Sequence, residues 1–360
     1  MKRYSAYEFS EYVNWAPDEA VQSEFRGRIA EGSRAQFVQA LSDEKLLDLY
    51  RGLVMARLHD IQLKRWVKSG VITKAWLGSG EEAVTIGSCA ALENGDVVGP
   101  MIRNASALIE RGVPLLACFS SYLGTTDNLT GGRDLHIGDL AHGVVPPISH
   151  VGDLVPVMTG CALSFRLRSE PHVALTWTGD GSTATGAVHE GLRMAASLRA
   201  PLICVIQNNQ VALGTHFEDG VGHGDFRSYG DAYGTKLIEM DGNNVLDCYA
   251  ATAEAVAHCR SGKGTVIIVA RTFRMGGHAT HDEREARELF DEEMYAYWGK
   301  RDPIGMYETW LISDRGITRA ALEAIEKKAL SEIEDAARTA VSRRESHAPD
   351  PSTQADGVYA

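Results

Sequence analysis

Apolar residues recur at helical spacing at Leu46, Leu49, Tyr50 and Leu53. Ser42 before Asp43 and Glu44 supplies an N-cap and an acidic first turn, and Gly70 is placed to close the segment. The middle of the chain changes rhythm. Residues 173–177 (VALTW), 202–206 (LICVI) and 266–270 (VIIVA) are short β-rich runs without polar alternation. Such runs predict strands. Between the first two, Val188, Leu192 and Ala195 mark one face of a helix. Strand, helix, strand in this order predicts βαβ units, hence an α/β fold with a parallel sheet flanked by helices. Near the end, residues 320–343 form a charged helical pattern with Leu322, Ile325, Ala329 and Ile333 on one side.

These patterns divide the chain. Residues 1–41 are expected to be an N-terminal arm with some helix, and residues 42–315 the α/β body. Residues 316–344 are expected to be a C-terminal helix, and the polar, proline-bearing residues 345–360 a flexible or partner-draped tail.

Composition narrows the function classes. The formal net charge of −12 argues against nucleic acid or an anionic membrane as partner, since either requires a basic face. The longest apolar runs are too short to span a bilayer. Residues 1–15 have scattered charges and no apolar signal core, so a cytoplasmic location is expected. The six cysteines include no CxxC pair, and several sit in apolar runs as small core residues.

The strongest chemical signal lies in residues 177–209, WTGDGSTATGAVHEGLRMAASLRAPLICVIQNN. One strand ends at Gly179-Asp180-Gly181 and the next at Asn208-Asn209, with 26 positions between Gly181 and Asn208. Parallel strands open their C-termini on one edge of the sheet, where α/β proteins bind ligands. Asp180 and Asn209 are therefore expected to face each other. A carboxylate, an amide oxygen and a backbone carbonyl are hard oxygen donors suited to Mg²⁺, and a diphosphate can complete the set. Gly181 would let backbone approach phosphate, and the following helix N-terminus would offer free N–H groups. Alone, Asp-Gly is a turn signal and Asn-Asn a common loop pair. Together, on consecutive strand ends, they are far more specific.

With this spacing, the chain resembles the alpha subunits of thiamine-diphosphate-dependent 2-oxo acid dehydrogenases of the pyruvate, branched-chain and acetoin types. The resemblance extends from about Leu46 to Leu311. It rests on GSGEEAVTIG (78–87), PMIRNASALIERG (100–112), ISHVGDLVPVMTG (148–160), MDGNNVLDCYAAT (240–252), FRMGGHATHDE (273–283) and RDPI (301–304). It implies Mg²⁺ held by Asp180, Asn209 and the Val211 carbonyl, with diphosphate on the N–H groups of Gly181 and Ser182. Arg103 and Arg274 match arginines near the diphosphate. Ser149 and Val151 match backbone positions that grip the aminopyrimidine, and Leu213 matches the apolar wedge that bends the cofactor. Ile102 stands where the family has a tyrosine.

The loop after Phe273 carries His278 and His281 beside Asp282. Spacing alone allows a metal site or a solvated charged loop. The resemblance makes it the roof over the cofactor, with His278 assisting the chemistry as a neutral imidazole. Ala279 stands where relatives carry a phosphorylated serine. Trp76 lies where pyruvate-type enzymes place a histidine, and the Gly-Glu-Glu triplet is similar to the branched-chain type. The segment 134–139, DLHIGD, matches neither group.

The implied reaction is oxidative decarboxylation of a 2-oxo acid, branched-chain-like rather than pyruvate, with acyl transfer to a lipoyl-bearing acyltransferase. The family's pyrimidine-activating glutamate comes from a beta subunit. This chain is thus expected to be inactive alone and to work as two alpha plus two beta subunits. Half of a split transketolase, a two-chain thiamine-dependent decarboxylase, and a non-catalytic cofactor-holding paralogue are the alternatives.

Overall fold

Five strands build one parallel sheet: β1 (Val97–Gly99), β2 (Ala174–Gly179), β3 (Leu202–Asn208), β6 (Lys236–Asp241) and β7 (Val266–Arg271). Their spatial order is β1-β2-β3-β7-β6. Two short strands, β4 (Val211–Ala212) and β5 (Thr215–His216), form an antiparallel hairpin beyond β3. This is a computed structural model, and it describes residues 15–30, 32–221, 225–353 and 355–356.

The three apolar runs form β2, β3 and β7, the centre of the sheet. β2 and β3 continue past the runs to Gly179 and Asn208, so strand geometry delivers the motif residues themselves. The flanking strands β1 and β6 were not legible as strands. β1 has three residues, and β6 carries exposed polar positions such as Glu239 at the sheet edge.

Side chains alternate across the sheet, and two cores result. Leu175, Trp177, Ile203, Val205 and Ile268 face one core, covered by the helices Asp43–Lys68, Glu82–Ala90 and Val245–His258. Ala174, Leu202, Cys204, Ile206 and Ile267 face the other, covered by Leu154–Leu167 and Gly186–Ser197. Val188, Leu192 and Ala195 are fully buried there, on the face their spacing predicts. All six cysteines are free thiols, five of them buried.

The Asp43–Lys68 helix begins where expected. The Ser42 side chain accepts a hydrogen bond from the Lys45 N–H, and Leu46, Leu49, Tyr50 and Leu53 are fully buried. This helix also buries charge. Arg57 pairs with Glu82, and also with Asp302 at 2.8 Å. The Asp60 carboxylate accepts from the Gly78 N–H at 2.7 Å and the Ser79 hydroxyl at 3.1 Å. Positions 57, 60 and 64 lie along one side of the helix. Arg57 and Asp60 pin the Gly-Ser-Gly-Glu-Glu turn, Lys64 pairs with Glu283, and Arg57 also holds the RDPI segment, whose Asp302 is therefore a structural residue.

The helix Arg319–Arg343 packs on Asp43–Lys68 through Leu322, Ala329 and Ile333. Of the N-terminal arm, residues 1–14 lie outside the described residues; the described part holds the helices Glu19–Arg28 and Gly32–Gln39. In the tail, residues 354 and 357–360 lie outside the described residues. Its earlier part lies against the chain's own 124–133 loop: the Thr126 N–H donates to the His347 carbonyl at 2.8 Å, and Arg133 donates to the Thr353 carbonyl at 3.0 Å.

Candidate active site

The β2–β3 register pairs Gly179 with Gln207, so Asp180 and Asn209 leave the same edge of the sheet. Both are buried. Asp180 Oδ1 accepts from the Gly181 N–H at 2.9 Å, while its Oδ2 is buried with no protein partner. Asn209 Oδ1 is likewise buried and unpartnered. Burial raises the Asp180 carboxyl to about 6, with the Glu81 charge adding to the rise and Arg274 and Arg103 opposing it. Native interiors rarely leave such oxygens without a partner.

Val211, on β4, is buried. Gln210 and Leu213, on either side of β4, adopt left-handed backbone with φ of 73° and 56°, bending the chain sharply after β3. Leu213 is 61% exposed, and its carbonyl accepts from Arg274 at 2.8 Å. A Cβ on Gly181 would stand 2.3 Å from the Ala212 Cβ. The glycine is thus required by the hairpin as well as by any ligand.

One expectation needs correction. The long helix does not begin directly after the Gly-Asp-Gly turn. A 3-10 turn, Gly181–Ala184, intervenes, and the helix starts at Gly186. The Thr183 and Thr185 hydroxyls hydrogen-bond the Asp180 and Ser182 carbonyls, and they hold this tighter turn. The Gly181 N–H is turned toward Asp180 rather than left free. Ser182 is buried beside it.

Arg103 and Arg274 converge on this edge. Arg103 donates to the carbonyls of Leu77 and His278 and lies 3.7 Å from Glu81. Arg274 donates to Leu213 and Gly276. Burial and the nearby Arg103 charge lower the Arg274 guanidinium to about 10, which still leaves it charged at neutral pH.

The histidine loop is less solvated than its composition suggests. Asp282 accepts from the N–H groups of His278 and Ala279, and the Thr280 N–H donates to the Ala75 carbonyl at 2.9 Å. His278 is half-buried and His281 exposed. Burial, with Arg103 and Arg274 close by, lowers the His278 imidazole to about 4. Among the described residues no group of three His, Cys, Asp or Glu is placed to hold a metal ion, and the two histidines form no such site.

Ser149 and Val151 lie on an exposed loop across the site. A Cβ on Gly152 would stand 2.4 Å from Thr185 Oγ1, so this loop abuts the turn after Asp180. The Ser149 hydroxyl lies 3.2 Å from His136 Nε2, whose Nδ1 lies 2.8 Å from Asp134. The sequence did not single out His136 or Glu81 for the site. Glu81 is 1% exposed and accepts from both Gln207 and Asn209. Its signal was the acid pair directly after Gly80 in GSGEEA.

The sequence pattern of the family described as "Dehydrogenase E1 component" matches residues 50–349. The chain belongs to this E1 family. It is similar to the pyruvate dehydrogenase E1 component subunit alpha of Acholeplasma laidlawii, at 32% identity over 82% of this chain and 83% of the relative. It is also 30% identical to the mitochondrial 2-oxoisovalerate dehydrogenase subunit alpha of Macaca fascicularis, over 83% of this chain and 68% of the relative. The 3-methyl-2-oxobutanoate dehydrogenase subunit alpha of Mycobacterium tuberculosis is 32% identical, over 82% and 79%. The expected family, an alpha subunit of the 2-oxo acid dehydrogenases, is borne out. So is the α/β class with its parallel sheet. E1 dehydrogenases depend on thiamine diphosphate, and an alpha subunit implies a beta partner. Pyruvate and branched-chain relatives stand at similar identity, so similarity by itself does not select a substrate. No described helix is long and apolar enough to cross a membrane.

Proposed function

We propose that the chain binds the diphosphate end of thiamine diphosphate through Mg²⁺, held by Asp180, Asn209 and the Val211 carbonyl. In the assembled enzyme it serves oxidative decarboxylation of a branched-chain-like 2-oxo acid, with acyl transfer to a lipoyl-bearing acyltransferase. Two alpha and two beta subunits make the complex. The observation that carries the reading is the pair of buried, unpartnered oxygens, Asp180 Oδ2 and Asn209 Oδ1. Each costs about 1–3 kcal/mol if left unsatisfied. Both are hard donors of the kind Mg²⁺ takes.

The bound cofactor supplies the electron sink for decarboxylation. The chain supplies charge, orientation and proton handling. Arg103 and Arg274 place positive charge toward the diphosphate, and the turn at Gly181 and Ser182 brings backbone close to it. Ser149 and Val151 offer backbone to the aminopyrimidine. Leu213, exposed on its left-handed turn, would give the bound cofactor an apolar support. His278 stays neutral at pH 7 and can donate or accept a hydrogen bond at the substrate oxygen. Trp76, half-buried beneath the Lys74 ammonium at 5.1 Å, is the residue that favours a substrate other than pyruvate.

Calorimetry tests the metal assignment. Asp180→Ala should weaken thiamine diphosphate binding at least tenfold, about 1.4 kcal/mol. Equal affinity in the variant, or in EDTA, rejects the assignment. A larger kcat/KM for pyruvate than for 2-oxoisovalerate in the assembled enzyme rejects the substrate preference.

A further inference from the structure

Asn209 can serve a cation only if its amide oxygen, and not its nitrogen, points into the site. An amide by itself does not decide this, because its two ends are nearly the same shape. The surroundings decide it, and one residue dominates them. Glu81 Oε1 accepts from Asn209 Nδ2 at 2.8 Å and from Gln207 Nε2 at 2.7 Å. The Gln207 amide is held from its other end, where its oxygen accepts from Asn104 Nδ2 at 3.0 Å. Asn104 Nδ2 also donates to Thr85 Oγ1 at 2.7 Å. Glu81, Gln207, Asn209 and Asn104 are all buried, so water does not compete for these groups. An oxygen at this point, whether of a carboxylate or of an amide, only accepts hydrogen bonds. It therefore compels both amides to turn their NH₂ groups toward it. The Asn209 oxygen is left facing the opposite way, buried, unpartnered and on the same sheet edge as Asp180 Oδ2.

We infer that Glu81 is a positioning residue that sets the Asn209 amide in the orientation required of a metal ligand. This inference rests on the Mg²⁺ reading above. Glu81 acts by reach rather than by charge. Its Oε1 must sit between the two amide nitrogens, while its Oε2 stays 3.7 Å from Arg103 Nε.

Two conservative substitutions separate reach from charge. Glu81→Gln removes the charge but keeps an oxygen at the same distance along the side chain. Glu81→Asp keeps the charge but withdraws it by one methylene, about 1.5 Å. Mn²⁺ serves as the probe in the assembled enzyme with thiamine diphosphate present. Bound and free ion are counted by electron paramagnetic resonance, so no turnover is required. Melting curves of both variants establish that they are folded. Glu81→Asp should bind Mn²⁺ at least tenfold more weakly, and Glu81→Gln within threefold of the unmodified enzyme. Retention of full affinity by the Asp variant overturns the inference. So does a fall in the Gln variant as deep as that in the Asp variant, because charge or direct ligation would then account for it. If the unmodified enzyme itself binds no Mn²⁺ under these conditions, the underlying metal reading fails instead.

Discussion

Lys64 Nζ stands 3.0 Å from Glu283 Oε2, joining the C-terminal end of the Asp43–Lys68 helix to the end of the histidine loop. Both side chains are largely shielded from water. Burial lowers the Lys64 pKa, and the Glu283 charge opposes that shift. The pair therefore works in a low-dielectric setting, where losing one partner is more costly than on an open surface. Lys64→Met should release the loop. Amide hydrogens of residues 276–283 should exchange at least about tenfold faster, as expected for local opening made easier by about 1.4 kcal/mol. Hydrogen-exchange mass spectrometry checks this, and unchanged protection of the loop rejects the role of the pair.

The imidazole of His278 should govern acid sensitivity in a defined window. Its folded pKa is lowered to about 4, against an ordinary value of 6.5. Between these values the unfolded chain binds the proton and the folded chain does not. Stability from this group is thus present above pH 6.5 and is lost as pH falls toward 4. The loss should amount to roughly 1–2 kcal/mol near pH 5. Urea unfolding at pH 7 and pH 5 should show a smaller loss in His278→Ala than in the unmodified protein. Identical losses in both would contradict the lowered pKa.

His278, not His281, should serve the reaction. His278 is half-buried with its carbonyl bonded to Arg103, while His281 is exposed. In the assembled enzyme His278→Ala should cut acyl transfer by roughly 100-fold or more, the scale of a lost acid–base group. His281→Ala should stay near normal. The reverse pattern would assign the chemistry to His281, and two active variants would leave the loop as a cover only.

Arg57 should be essential to folding rather than to chemistry. It is 2% exposed between the Glu82 and Asp302 carboxylates, both buried. Arg57→Met leaves two buried carboxylates without their cation. The variant should lose about 3–5 kcal/mol of stability. Denaturant unfolding checks this, and a loss under 1 kcal/mol would show that the carboxylates simply take up protons.

The chain by itself should release no CO₂ from 2-oxo acids, and it should gain activity on addition of a beta subunit. Val151 and Leu213, matched to the cofactor's contacts, are 60% and 61% exposed, so this chain alone closes neither side of the site. Steady decarboxylation by the pure chain contradicts this.

The central strands, the helix capped by Ser42 and the placement of Asp180 and Asn209 at strand ends were legible in local sequence patterns. Periodicity and capping act within a few residues, so they can be read locally. The edge strands β1 and β6 were hidden because one is short and the other partly polar, and pairing with the centre makes them strands. The turn after Asp180 looked like a helix start. Threonine hydroxyls bonded to backbone carbonyls made it a 3-10 turn instead. Only the tertiary structure brought Glu81 to Asn209, 128 residues apart in the chain, and Arg57 to Asp302, 245 residues apart. It alone decided which end of an amide faces the site and how far burial moves a pKa. Those properties depend on dielectric and on partners from distant segments, and no local pattern encodes them.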